Sequence, residues 1–316
     1  KVETMTSLDK IDIRFTNDYS EACELRDLGY EPIECAFGQY GSVMGRYNMD
    51  HHGLESHREG VALRACRDLY GACRDDLRFV VTGTPDADAV LAIIALGALV
   101  EHETISAPFY TLVNAYDTDP IGINLLATPT GTRLAWFNQI SNIGQSESGF
   151  RKAINAMVEL LEGGLSVAEA DRISKADRGR RRKALDGILL RLDADGHELP
   201  IPNKLEGSPV LRGQTALNES PRVLVVNSTV WGFDMWYRAA PVVVSFASRI
   251  QKVTVGCPDL TTAQALFGPT GLSVIWKSLG PGWGGRETIG GSPRGQVKKL
   301  ADAHSTARKI IEHLGL

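Results

Sequence analysis

The sequence predicts an α/β protein in two parts. A mainly parallel sheet with helices is expected over residues 1–185, and a smaller, mixed-sheet α/β domain over residues 186–316. Three observations carry this reading. Short β-branched runs alternate with helical periods through the first part, the pattern of a layered α/β fold. Strand-like runs crowd the second part. Between them, residues 193–222 hold Pro200, Pro202, Pro209 and Pro221 with several glycines, the composition of a linker or a long hairpin connection.

Residues 11–16 alternate and read as a first strand, and residues 32–37 and 42–49 as strands leading into Asp50. Residues 55–75 read as a charged helix on which Leu63, Cys66, Leu69 and Tyr70 recur at helical spacing, with Cys66 and Cys73 on its core face. A strand follows at 78–83 and an apolar, buried helix at 88–100. Residues 148–163 read as a helix ended by Gly163 and Gly164. Ser166 and Glu169 then form a capping box for the next helix. That helix runs into Arg178-Gly179-Arg180-Arg181-Arg182-Lys183, read as a solvated face in preference to a nucleic-acid patch. Asp193-Ala194-Asp195-Gly196 lacks the remaining ligands of a calcium loop and reads as a hairpin turn. In the second part, residues 223–227, 241–246, 252–255 and 272–276 read as strands and 261–266 as a helix. A closing helix over 296–314 buries Leu300, Ala303, Ala307, Ile310, Ile311 and Leu314, with Gly315 as its stop.

Composition excludes several classes of function. The chain has 316 residues, 43% hydrophobic and 23% charged, with a formal net charge of −4. Such a chain has no overall basic field to favour long nucleic acid, although a local pocket suffices for a small anionic substrate. The longest apolar run, residues 89–100, is too short to cross a bilayer. Five cysteines in no paired motif argue against a disulfide framework, and the cytoplasm is the expected location. A homodimer is left open.

The chemistry concentrates in two clusters, Asp50-His51-His52-Gly53 and Gly83-Thr84-Pro85-Asp86-Ala87-Asp88-Ala89, each at the end of an expected strand. In extended backbone, residues i and i+2 point the same way, so Asp86 and Asp88 can aim two carboxylates at one side. Adjacent His51 and His52 would then diverge, one towards a metal and one towards a substrate oxygen. Such groups converge at little cost only around a cation. Two ions ~3.5–4 Å apart need a shared carboxylate shell of this kind. Mixed carboxylate and imidazole ligands suit Mn²⁺, ahead of Zn²⁺, Fe²⁺ or Mg²⁺. The competing reading is structural: Asp-x-Asp at a turn is commonly a cap. His57 is a reserve ligand.

These residues resemble the DHH phosphoesterase superfamily, which carries an Asp-His-His motif and an Asp-x-Asp-Ala motif. Here the two occur in reversed order, and a threonine, Thr82 or Thr84, stands where the family places a histidine before Asp-x-Asp. The segment before Asp-His-His offers only Glu34 where the family has a bridging aspartate. The resemblance implies that Asp86, Asp88 and His51 hold Mn²⁺, that His52 contacts the scissile phosphoryl group, and that Asp50 orients the histidines. It also implies a later aspartate, for which Asp117 is the best match and Asp119 the alternative. A third similarity is Gly280 to Ser292, which looks like the glycine-rich substrate loop of the DHH-associated domain. By physical argument Gly284 and Gly285 free backbone amides to converge on an anion, and Arg286 and Arg294 add planar two-pronged contacts. The alternative is a wide turn.

The expectation from the sequence is therefore a Mn²⁺-dependent hydrolase, a phosphoesterase acting on a small phosphorylated metabolite or short oligonucleotide. Its rivals are a hydrolase of the same fold acting on a non-phosphate bond in a small anionic metabolite, and a metal-free binding module.

Overall fold

The computed structural model describes residues 10–37, 40–52, 59–140, 144–217, 222–293 and 296–315. The chain is an α/β protein of two compact units, Lys1–Ser174 and Lys175–Leu316. The division falls earlier than expected, within one long helix, because the basic stretch that follows packs with the second unit.

The first unit opens with β1 (Asp12–Phe15), α1 (Tyr19–Asp27) and β2 (Glu31–Ile33). It continues through α2 (Val61–Asp68), β3 (Arg78–Val81), α3 (Ala87–Gly97), α4 (Ala107–Thr118), α5 (Pro129–Ile140) and α6 (Glu147–Gly163). The three strands form a parallel sheet in the order β1-β3-β2. Met49 bridges Ile33 in parallel and so extends the row by one residue. Every residue of α3 is buried. A helix apolar on all sides must be surrounded, and α3 packs into the core that holds Phe79, Phe109, Phe137, Phe150 and Met157.

Two strand readings fail here. Residues 42–49 form isolated bridges at Ser42 and Met49 instead of a strand. The Glu31 carboxylate accepts hydrogen bonds from the backbone of Arg46 (3.0 Å) and Tyr47 (2.9 Å), and Asn48 is left-handed at φ 52°, which together curl the segment. The strand expected over 32–37 stops at Ile33 because Glu34 is left-handed too, at φ 51°. In the expected helix over 55–75, α2 covers 61–68; Cys66 and Cys73 are both buried as expected, but Cys73 lies in the turn beyond the helix. All five cysteines are free thiols.

Helix α7 (Val167–Asp186) crosses the division between units, with Ser166 and Glu169 forming the expected capping box. Its basic stretch is partly neutralised: Arg180 pairs with Asp177 and Asp234, and Arg181 with Asp177. The second unit continues through β4 (Ile188–Leu192), α8 (Gln214–Leu217), β5 (Val223–Ser228), α9 (Phe233–Trp236), β6 (Val242–Ala247), β7 (Lys252–Gly256) and α10 (Leu260–Phe267). It ends with α11 (Trp276–Leu279), β8 (Gly284–Gly285), β9 (Ile289–Gly291) and α12 (Leu300–Leu314). The six-stranded sheet runs β4-β5-β6-β7-β9-β8, and only β5 and β6 are parallel. The Asp193 segment is the hairpin turn expected, closed by the bridge between Leu192 and Glu198.

The strand expected at 272–276 is instead a 3₁₀ turn, Gly271–Ile275, running into α11. Leu272, Ile275, Trp276 and Leu279 are buried at helical spacing, a period that the β-branched residues obscure in the sequence. Trp276 then presses on the β8–β9 hairpin, where a Cβ on Gly290 would lie 2.5 Å from its ring. A Cβ on Gly285 would lie 2.2 Å from the Gly290 Cα. Gly285→Val is therefore expected to lower thermal stability, by ~1–3 kcal/mol as for other overpacked sites. Calorimetric unfolding checks this.

Among the described residues no helix is long and apolar enough to cross a membrane.

Candidate metal centre

Four segments of the first unit converge near the carboxyl edge of its parallel sheet, the place where such sheets collect ligands. Glu34 follows β2, and Asp50, His51 and His52 follow the Met49 bridge. Asp86 and Asp88 follow β3, and Asp117 lies in the last turn of α4.

His51 is the hub. Its Nε2 lies 2.9 Å from Asp117 Oδ2, 3.2 Å from Glu34 Oε1 and 3.8 Å from Asp88 Oδ2. His51, Asp88 and Asp117 form one set of three metal-capable groups, and Glu34, His51 and His52 a second; within each set the ligand atoms lie within 4.8 Å of one another. Glu34, Asp50, His51 and Asp88 are buried, and the buried Nδ1 of His51 has no hydrogen-bond partner among the described residues.

The two imidazoles do not diverge as extended backbone would require. Asp50 Oδ1 accepts hydrogen bonds from the backbone N–H groups of His51 (2.8 Å) and His52 (3.1 Å), which turns the chain. The rings consequently meet edge to face with centroids 5.4 Å apart. The same Oδ1 lies 2.6 Å from His52 Nδ1, so Asp50 orients one of the two histidines directly. Arg64 of α2 holds this turn by donating to the carbonyls of Asn48 and Asp50, both at 3.0 Å.

Asp86 and Asp88 also differ from the extended expectation, because both lie at a helix start, where free N–H groups compete for carboxylates. Asp86 caps its own helix by accepting from Ala89 N at 3.0 Å. Asp88 reaches across to α2 and accepts from Val61 N (2.8 Å) and Ala62 N (3.0 Å). The capping role weighed against metal binding is thus present, and each oxygen keeps a further lone pair for an ion. Gly60 makes the approach of α2 to Asp88 possible, since a Cβ there would lie 2.7 Å from Asp88 Oδ1. Its N–H donates to Asn114 Oδ1 at 2.6 Å, one helical turn before Asp117. Gly60→Ala is expected to displace the Asp88 carboxylate and weaken Mn²⁺ binding by about tenfold, the scale of a disturbed ligand support; isothermal titration reads this directly.

The electrostatics are those of crowded acids. Burial, then the charge of Asp86, pushes the Glu34 carboxyl well above its ordinary range. Burial and Asp117 raise Asp86 to about 7 and Asp88 to about 6. Burial works against protonation of His51, yet Asp117 and Glu34 outweigh it and hold the imidazolium up to about 10. Burial would raise Asp50 as well, but hydrogen bonds from His52 and Ser42 bring it down to about 2. Among the described residues no lysine or arginine forms an ion pair with Glu34, Asp50, Asp86, Asp88 or Asp117; their basic partners are the two histidines.

Of the residues singled out in the sequence, Asp50, His51, His52, Asp86, Asp88 and Asp117 come together here. Neither Asp86 nor Asp119 belongs to a three-group set. Gly284, Gly285 and Arg286 lie in the second unit, where Arg286 N donates to Ile289 O at 2.7 Å and closes the β8–β9 hairpin. That amide is committed to the hairpin and does not face an anion. Arg294 and His57 lie outside the described residues. Two supporting residues carried no motif signal, Gly60 and Asn114. Glu34 stands in the sequence as a possible bridge but lacks the family's residue type; its left-handed backbone, which costs on the order of 1–3 kcal/mol where it is held, marks it in the structure.

Comparison with known proteins finds no matching family model, no matching curated protein and no matching solved structure.

Proposed function

We propose that this protein is a Mn²⁺-dependent phosphoesterase, akin to the DHH phosphoesterases, whose substrate is a small phosphorylated metabolite or a short oligonucleotide. The supporting observation is the convergence of Glu34, Asp88 and Asp117 on His51, with the charge of Asp86 beside them and no lysine or arginine paired to these carboxylates among the described residues. Carboxylates packed this closely are costly without a cation. The donor set, carboxylate oxygens with imidazole nitrogen and no thiolate, fits a hard or intermediate divalent ion.

In this reading His51, Glu34, Asp88 and Asp117 hold the ion, and Asp86 adds negative charge beside it. The ion would lower the pKa of water and neutralise charge on the phosphoryl oxygens. His52 has a separate task. With Nδ1 fixed on Asp50, its Nε2 is left to contact the scissile phosphoryl group and pass a proton to the leaving oxygen.

The test is phosphate release from a panel of phosphomonoesters and dinucleotide diesters, before and after chelation. Release that needs Mn²⁺ and stops with EDTA is the expected result. Full ion loading with no phosphate ester cleaved would favour the rival reaction, hydrolysis of a non-phosphate bond at the same centre.

A further inference from the structure

We propose that Tyr40, backed by Tyr19, is a stacking platform for a nucleobase, which makes the substrate a nucleotide or a nucleotide end; this rests on the phosphoesterase reading. Tyr40 is 64% exposed. Its ring stacks on Tyr19 with centroids 5.6 Å apart and planes 25° apart. Phe37 supports Tyr19 from the edge, at 5.8 Å and 84°. With Tyr19 on one face, Tyr40 presents its other face outward. A ring held flat and open in this way has already lost the rotamer freedom that stacking a base would otherwise remove.

The platform belongs to the metal centre's own rim. Tyr19 begins α1 just beyond the carboxyl end of β1, where Thr16 N still donates to Val81 O of β3 at 3.1 Å. Tyr40 and Phe37 lie in the loop that leaves the centre at Glu34 and returns to it at Asp50. Ala36 bridges Ser42 at its base, Phe37 N donates to Gly41 O, and Ser42 helps to hold the Asp50 carboxylate. Tyr40 is two residues from Ser42, at most ~7 Å along extended backbone, and Ser42 hydrogen-bonds the Asp50 carboxylate that orients His52. A base on Tyr40 and a phosphate at the ion would then be two ends of one nucleotide. Aromatic rings bind any base through its π-face, so the platform sets the class of substrate and not the base.

The experiment is equilibrium binding to the Mn²⁺-loaded protein of three probes: inorganic phosphate, and the hydrolysis-resistant 5′-methylenephosphonate analogues of ribose 5-phosphate and of AMP. The AMP analogue is expected to bind about tenfold or more tightly than the ribose analogue, the scale of one stacked base. Tyr40→Ala should erase that advantage and leave phosphate binding unchanged, whereas Tyr40→Phe should keep it. Equal binding of the two analogues by the native protein, or an advantage that survives Tyr40→Ala, overturns the platform while the phosphate site stands. Failure of all three probes to bind overturns the phosphoesterase reading and the platform with it.

Discussion

The ion-free protein is expected to lose stability as pH rises from about 4 to 8, and Mn²⁺ is expected to restore it. In the unfolded chain Asp86 and Asp88 titrate near the ordinary aspartate value, ~3.9. In the folded protein they hold their protons to about 7 and about 6. Between those limits the folded state binds more protons, so unfolding becomes easier as pH rises. His51 acts in the same direction at higher pH: its imidazolium, held to about 10, stabilises the fold below its unfolded pKa, and this is lost as pH climbs through the folded value. Asp50 acts oppositely, stabilising above ~3.9 and failing as pH falls towards 2. At ~1.4 kcal/mol for each tenfold change in acid dissociation, the coupled acids withdraw on the order of a few kcal/mol. At roughly 2–4 °C per kcal/mol the melting temperature should fall by about 10 °C between pH 5 and pH 8 in EDTA. Calorimetry across that range should show the fall, its reversal by Mn²⁺ at pH 8, and a flatter curve for Asp86→Asn.

The second large effect separates the two histidines. His52→Ala is expected to retain the ion and lose ~10²-fold or more in turnover, the usual contribution of a placed acid or base. His51→Ala is expected to empty the centre, since His51 belongs to both sets of candidate ligands. Asp50→Asn should fall between the wild type and His52→Ala in turnover, because the amide still accepts the backbone hydrogen bonds but no longer offers the His52 ring a carboxylate. Ion content by elemental analysis and rates on one phosphate ester check all three. Ion lost from His52→Ala and kept in His51→Ala would exchange the two roles.

Much of this arrangement is legible in the sequence where side-chain chemistry and periodicity agree. The apolar run of α3, the short runs of β1 and β3, the strands β5 to β7 and the stripe of α12 all appear near their expected places. So do the two motifs, because each marks the end of a parallel strand or bridge. Legibility fails where long-range partners decide local form. The turn at 46–47 depends on the Glu31 carboxylate, fifteen and sixteen residues away, which no local pattern announces. Residues 271–279 are helical because of what Leu272 and Trp276 bury, against a β-branched composition. Glu34 joins the centre through a left-handed backbone that a non-glycine residue rarely adopts. The extended geometry expected of Asp86 and Asp88 gives way to capping, since the helix starts supply the nearest N–H donors.

The proposed function requires a divalent ion within this cluster of acids. Titration of Mn²⁺ into chelator-stripped protein, with His51→Ala and Asp88→Asn beside the wild type, tests it most directly. One to two ions per wild-type chain, sharply fewer in His51→Ala and weaker binding in Asp88→Asn, is the expected result. Wild-type protein that takes up no Mn²⁺ at millimolar concentration, or variants that bind as it does, would contradict the claim and leave Asp86 and Asp88 as helix caps alone.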